Sequence, residues 1–364
     1  MLTASATGAD TLQAGNGWGD VLVAGGGADT LIAGTGTGAE LIGGSGVDRF
    51  VLSDSGSAAV NGGSGTNTVV FSGDEANYSF SGAMNGGIFT TTVTNKTTGA
   101  VDTLTNVQTV QFANASATPL ALSGGTSGLL TDPTVKAAVA SVLSNGSISY
   151  QGMLTVFQDV AAQGTVTSSE FSSLQTLAAL LNQPSGIEAT LYVQDITDAI
   201  INGNSANAYG DLAAGSSAAQ LNGLIGEWFL GTDLPSLAGF SGIAYKNDAN
   251  TLYGPSGTPL YTDANQGELG DCYLIGSIGE CALMDPNAIK SMFTYDGNGV
   301  YGVRFFVNGQ PDYVTVNTQL PYFTNNSVWA NGSALAFANG APIWAELIEK
   351  AFVELNAQPG APAS

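Results

Sequence analysis

Residues 24–50 read AGGGADTLIAGTGTGAELIGGSGVDRF, and the architecture of the N-terminal part depends on how that stretch is parsed. Short units recur in it and beside it: Asp10-Thr11-Leu12, Asp20-Val21-Leu22, Asp29-Thr30-Leu31 and Asp48-Arg49-Phe50. Between them lie AGNG, AGGG and AGTG, then a complete GGSGVD from Gly43 to Asp48. Residues 8–46 hold 13 Gly without the every-third spacing of a collagen helix. A flexible glycine linker would lack the apolar series Leu12, Leu22, Leu31, Phe50, which needs a buried face. Short strands joined by glycine turns and stacked on one another satisfy both features.

The units resemble the calcium-binding nonapeptide repeat of RTX proteins, G-G-x-G-x-D-x-U-x with U a large apolar residue. GGSGTN at Gly62 to Asn67 extends the series with Asn in the Asp place. The resemblance implies a parallel β-roll in which Asp10, Asp20, Asp29 and Asp48 bind calcium through carboxylate oxygens. The glycines are expected to serve positive-φ turns. The spacing slips at Trp18-Gly19 and Gly38-Ala39, so only a few calcium sites are expected. RTX resemblance also implies an extracellular protein exported by a type I machine, and Met1 to Ser5 has no basic, apolar secretory signal.

Outward from the repeats the pattern changes. Residues 68–113 alternate β-branched and polar side chains and read as antiparallel strands, a β-rich cap on the roll. PLALSGG at residues 119–125 marks a boundary. Helical periods follow at Thr134–Leu143 (ended by Asn145-Gly146), Tyr150–Ala162, Ile187–Ile201 and Ser217–Leu230. Thr167 to Glu170 form a capping box before the stripe Phe171, Leu174, Ala178, Leu181, and Asn182-Gln183-Pro184 closes that helix.

Composition narrows the chemistry. The chain has 364 residues, 29 acidic and 7 basic, for a net charge of −22. That balance argues against nucleic acid and anionic membranes as partners. It contains no His, which removes most zinc chemistry and every Ser-His or Cys-His pair within the chain. No apolar run approaches the ~20 residues of a membrane span.

From Gln266 the chain reads QGELGDCYLIGSIGECALM. The apolar run is of helical length and is broken by Asp285-Pro286, which puts Cys272 at the first turn of a buried helix. Exposed backbone N–H groups at such a position favour an anion. The string resembles the active-site motif of calpain-like cysteine proteases, close to QGxLGDCWFLA. It matches at Gln266, Gly267, Leu269, Gly270, Asp271 and Cys272, with Tyr273 in the usual Trp place. The resemblance implies Cys272 as nucleophile and Gln266 as oxyanion donor. Tyr301–Val307 and Tyr313–Asn317 read as strands around an Asn308-Gly309 turn. Gln319–Pro321 is similar to a strand end of the family, and Trp344–Asn356 to the helix that packs on the Cys helix. Cys281 is expected to be core. Trp228, Trp329 and Trp344 are read as packing residues and Asp271 as a cap or loop anchor.

The expectation is a multidomain chain: an RTX β-roll at 1–72, a β-rich cap at 73–118, an all-α domain at 119–240 and an α+β, papain-like first protease lobe at 241–364. The family's catalytic His and Asn belong to a second lobe that this sequence does not show. The function expected is a secreted, calcium-binding cysteine endopeptidase acting on protein or peptide substrates. Two rivals stand beside it. One is a calcium-dependent structural or adhesive surface protein with an inactive protease-like lobe; the other is a different thiol enzyme, such as a transferase.

Overall fold

The computed structural model describes residues 1–85, 88–123, 128–144, 146–181, 187–238, 242–267, 270–323 and 342–357. Asn145, Asn182, Gln183, Pro184, Leu269 and Trp329 lie outside these residues. The chain divides into two compact units, residues 1–194 with 213–218, and residues 195–212 with 219–364.

The first unit begins as a roll of short strands: β1 (Leu2–Thr3), β2 (Thr11–Gln13), β3 (Val21–Val23), β4 (Thr30–Ile32), β5 (Thr37–Ile42), β6 (Arg49–Leu52), β7 (Ser57–Asn61) and β8 (Thr68–Phe71). Odd strands stack in parallel in one sheet and even strands in the other. Leu12 pairs with Leu31, Leu31 with Phe50 and Phe50 with Val69; Leu22 pairs with Leu41 and Leu41 with Val60. The apolar residue of each unit thus falls between the sheets, where Leu22, Leu31, Leu41, Phe50, Val60 and Val69 are at most 2% exposed. Burying a side chain of this size contributes ~1.5–3 kcal/mol.

The repeat that closes the roll is 19 residues long, as the spacing of its equivalent hydrogen bonds shows. The apparent slips in the sequence are the longer half of each 19-residue turn. Gly19 and Gly38, at φ 74° and 75°, supply the left-handed residue there. Gly63 and Gly65 also have positive φ, at 75° and 93°, while Gly44 and Gly46 lie outside that region and correct the expectation of positive φ. A Cβ on Gly44 would lie 1.5 Å from the Gly25 carbonyl oxygen, and one on Gly46 1.6 Å from that of Gly27. Successive turns pack backbone on backbone, and only hydrogen fits between them.

After β8 come β9 (Tyr78–Asn85), β10 (Ile88–Asn95), β11 (Val101–Thr105), β12 (Thr109–Gln111) and β13 (Thr118–Pro119). β9, β10 and β11 are antiparallel, as the alternation suggested. β8 pairs parallel to β6, however, while β11 lies parallel to β7 and β12 parallel to β8. The roll therefore gains a further turn after a hairpin excursion, and its last rung buries Leu104 and Val110. Alternation alone cannot distinguish the two pairings.

Helices α1 (Pro133–Val142), α2 (Tyr150–Ala161) and α3 (Ser168–Leu181) follow. The capping box is present: Thr167 N–H donates to Glu170 Oε2 at 2.7 Å, and Glu170 N–H to Thr167 Oγ1 at 3.1 Å. α4 (Leu191–Asn202) spans the division between the two units.

The second unit contains all but the first residue of α5 (Ala218–Ile225), followed by a π-helical turn at Gly226–Leu230, and then β14 (Ile243–Asn247). α6 (Cys272–Met284), α7 (Pro286–Lys290), β15 (Phe293–Gly297), β16 (Val300–Val307), β17 (Gln310–Asn317), β18 (Gln319–Phe323) and α8 (Trp344–Ala357) complete it. β15, β16 and β17 form an antiparallel sheet, and the β16–β17 turn is Asn308-Gly309 at φ 52° and 79°. The core joins Ile275, Ile278 and Ala282 of α6 to Val303, Val314 and Val316 of the sheet and to Trp344, Leu347, Ile348 and Ala351 of α8.

Candidate active site

Cys272 is the first residue of α6. The Asp271 carbonyl accepts the Leu274 and Ile275 amides at 2.8 and 3.2 Å and starts the helix. First-turn amides have no partner within a helix, so the thiol stands where an anion is favoured. It is free and exposed. α6 buries Ile275, Ile278 and Ala282 and leaves Tyr273, Leu283 and Met284 in solvent. The expected buried helix is thus buried on one face. Cys281, expected in the core, is exposed as well, because Ile278 and Ala282 on either side of it take the buried stripe.

Gln266 is tethered beside this helix start. Its Nε2 donates to Asp271 Oδ1 at 3.0 Å. Asp271 is buried and caps the helix with its backbone only, since its carboxylate serves Gln266. The loop carrying Gln266 is held by a residue that sequence reasoning passed over. Asp263 Oδ2 accepts the Leu260 N–H at 2.8 Å and the Trp344 indole N–H at 2.9 Å, fastening the loop to α8. The available signal was an Asp able to close a turn three residues after Leu260. Trp344 is core, as expected, and also a donor. Tyr273 meets Phe352 of α8 edge to face at 6.2 Å, so the aromatic next to Cys272 has a packing partner.

The residues assigned to calcium are arranged differently from the expectation. Asp29 Oδ1 accepts the Asp10 N–H at 2.7 Å and Oδ2 the Gly25 N–H at 2.8 Å. One turn on, Asp48 accepts the Asp29 and Gly44 amides at 3.0 and 2.9 Å. Asn67 then accepts the Asp48 amide at 2.9 Å and donates its own N–H₂ to the Gly62 carbonyl. Asp10, at the open end, accepts from the Ser5 hydroxyl and amide, which hold its carboxyl below the usual range. Asp20 stands in the other row of turns, where its neighbour Val21 pairs with Glu40 and Glu40 in turn with Ala59. Both oxygens of Asp29 and of Asp48 face backbone donors, and both residues are 1% exposed. A calcium ion needs six to eight oxygens turned toward it. Among the described residues no group of three His, Cys, Asp or Glu could hold a metal ion. As arranged, Asp29 and Asp48 spend an amide on each carboxylate oxygen, and the ladder does not show the converging carboxylates expected for calcium.

Residues 252–359 match the family described as calpain family cysteine protease. The calpain-2 catalytic subunit of Bos taurus is 26% identical over 141 residues, which is 34% of this chain and 19% of that protein. Calpain-9 of Rattus norvegicus is 31% identical over 101 residues, 26% of this chain and 14% of that protein. The chain spans under a fifth of the length of these curated relatives.

Proposed function

With a calpain-like cysteine protease domain at residues 252–359, we propose that this chain supplies the thiol side of a cysteine endopeptidase acting on protein or peptide substrates. The carrying observation is the exposed Cys272 at the first turn of α6, with the Gln266 amide tethered at the same helix start. In this reading the Cys272 sulfur attacks the scissile carbonyl, the Gln266 N–H donates to the oxyanion, and the tetrahedral intermediate expels the protonated amine to leave a thioester that water hydrolyses. The chain contains no His, so the imidazole that moves the proton comes from outside these 364 residues. That absence is also what favours the second reading, a structural or adhesive protein with an inert lobe. Extracellular location, implied by the repeats, belongs to the same proposal. Calcium does not, because the Asp ladder is committed to backbone amides.

Cys281 provides an internal reference for the test, being a second exposed thiol on the same helix. A peptidyl chloromethyl ketone, with labelling mapped by mass spectrometry, should modify Cys272 well ahead of Cys281. Equal labelling of the two would overturn the reading. In an enzyme completed with its imidazole, Gln266→Ala should lower kcat by roughly 10²–10³ with KM unchanged.

A further inference from the structure

The second unit holds a cavity of about 440 Å³, a size that suits a small ligand. Its walls include Glu227, Trp228, Asp233, Tyr313, Val353 and Glu354. Three carboxylates in one partly apolar pocket is an arrangement that folding alone disfavours. Their surroundings make it more so. Glu354 is 9% exposed, and its Oε1 is buried with no hydrogen-bond partner. Asp233 Oδ1 is buried and equally unpartnered. Glu227 has one donor, the Ala208 amide at 3.2 and 3.3 Å from its two oxygens.

A lysine lies close by; its charge acts on Glu354 and Asp233, but it hydrogen-bonds to neither. Lys350 precedes Glu354 by one turn of α8 and is fully buried. Its Nζ donates to the Asn317 carbonyl, Asn317 Oδ1 and the Gln319 carbonyl, at 3.1, 2.9 and 3.2 Å. Those three bonds use the three protons an ammonium has. Burial pushes Glu227 up to about 7 and Asp233 to about 6, and it raises Glu354 well above the carboxylate range. These are carboxylates short of hydrogen-bond donors.

The backbone is also unusual at this wall. Glu227 and Trp228 sit in the π-helical turn Gly226–Leu230, and the Trp228 carbonyl accepts the Thr315 hydroxyl at 2.6 Å. π turns survive mostly where they place functional side chains. Here the turn puts a carboxylate and an indole side by side. With Tyr313 and Val353, the pocket offers aromatic faces and an apolar wall beside its acids.

We propose that this cavity binds an alkylammonium or alkylguanidinium group, with Glu354 and Asp233 as its ion-pair acceptors and the Trp228 and Tyr313 rings beside its stem. A compact metal ion would leave the aromatic wall unused, whereas an organic cation uses acids and rings together. The same chemistry is carried by a free amine and by a Lys or Arg side chain. The site is separate from Cys272 and does not rest on the peptidase reading.

The test is isothermal titration of the full 364-residue chain at pH 8, above the values of Glu227 and Asp233. One probe is agmatine, a free alkylguanidinium; the other is a short neutral peptide with a single internal arginine. A one-site isotherm saturating by about 1 mM with either probe supports the pocket. Binding of agmatine alone assigns it to small cations, and binding of the peptide assigns it to side chains of a protein. Glu354→Gln and Asp233→Asn should each weaken binding at least about tenfold. Circular dichroism should show both variants folded, and Cys272→Ser should leave binding intact. Absence of saturable binding to the folded chain, affinity unchanged in both carboxylate variants, or loss of binding in Cys272→Ser would overturn the proposal.

Discussion

Buried carboxylates in the two units are treated in opposite ways. In the roll, Asp29 and Asp48 are 1% exposed and each oxygen accepts a backbone N–H. In the second unit, Glu354 is nearly as buried, yet an oxygen of it has no partner. The difference separates two uses of a buried acid. One that backbone amides satisfy is part of the fold, tying each turn to the next. One left short of donors is a cost that the fold carries, and such costs mark places where another molecule completes the structure.

The strongest way to break this comparison is to remove a satisfied acid. Asp48→Ala strands the Asp29 and Gly44 amides, each costing ~1–3 kcal/mol, so the roll should lose about 2–6 kcal/mol. Asp48→Asn should cost about 1–3 kcal/mol, because a carboxamide keeps one acceptor for the Asp29 amide but turns N–H₂ toward the Gly44 amide, whereas at Asn67 the turn offers the Gly62 carbonyl instead. Hydrogen exchange at the Asp29 and Gly44 amides reads the effect. Unchanged protection in Asp48→Ala would mean that the ladder contributes nothing.

The converse change should act with the opposite sign. Glu354→Leu removes an under-satisfied acid and should stabilise the second unit by roughly 1–2 kcal/mol at pH 8, seen as a higher denaturant midpoint. It should also abolish cation binding, the usual exchange of function for stability. A destabilised Glu354→Leu would put Glu354 with the structural acids.

A smaller effect comes from pH. Burial raises Asp102 in the first unit and Glu227 in the second, each to about 7. A carboxyl with a raised folded pKa binds its proton more tightly in the fold. Its stabilisation is complete below the unfolded value near ~4 and is lost as pH rises toward about 7. Both units should therefore melt lower at pH 8 than at pH 5, by on the order of 1 kcal/mol per group. Asp102→Asn should flatten the slope of the first unit and Glu227→Gln that of the second. Calorimetric scans in which neither variant changes a slope would refute the assignment.

The smallest expected effect is that of calcium. Because the ladder oxygens are occupied by amides, millimolar calcium or a chelator should leave the β-signal and the melting of the roll unchanged. A calcium-dependent gain of β-structure in circular dichroism would show that the carboxylates exchange amides for metal.

Legibility in the sequence was uneven, for physical reasons. The apolar residues of the roll announce themselves because each must be buried between sheets. Leu22, Leu31 and Phe50 are at most 1% exposed, while Leu12, on the outermost turn, is half-buried. The Thr167–Glu170 box and the Asn308-Gly309 turn were readable because their bonds close within a few residues. The partners of Asp29 and Asp48 were not, because 19 residues separate each carboxylate from the amide of the preceding turn. Cys272 and Gln266 were found through a local string, whereas the Asp263 clamp joins positions 81 apart.

Local order therefore determined that this chain stacks glycine-rich turns, then forms helices, and then sets a cysteine at a helix start. Those features depend on periods and spacings that a linear chain displays. Tertiary structure decided what each polar group is for. The same carboxylate chemistry becomes a rung at Asp48 and an under-satisfied pocket wall at Glu354. Desolvation and hydrogen-bond supply set that difference, and both depend on segments that meet only once the chain has folded.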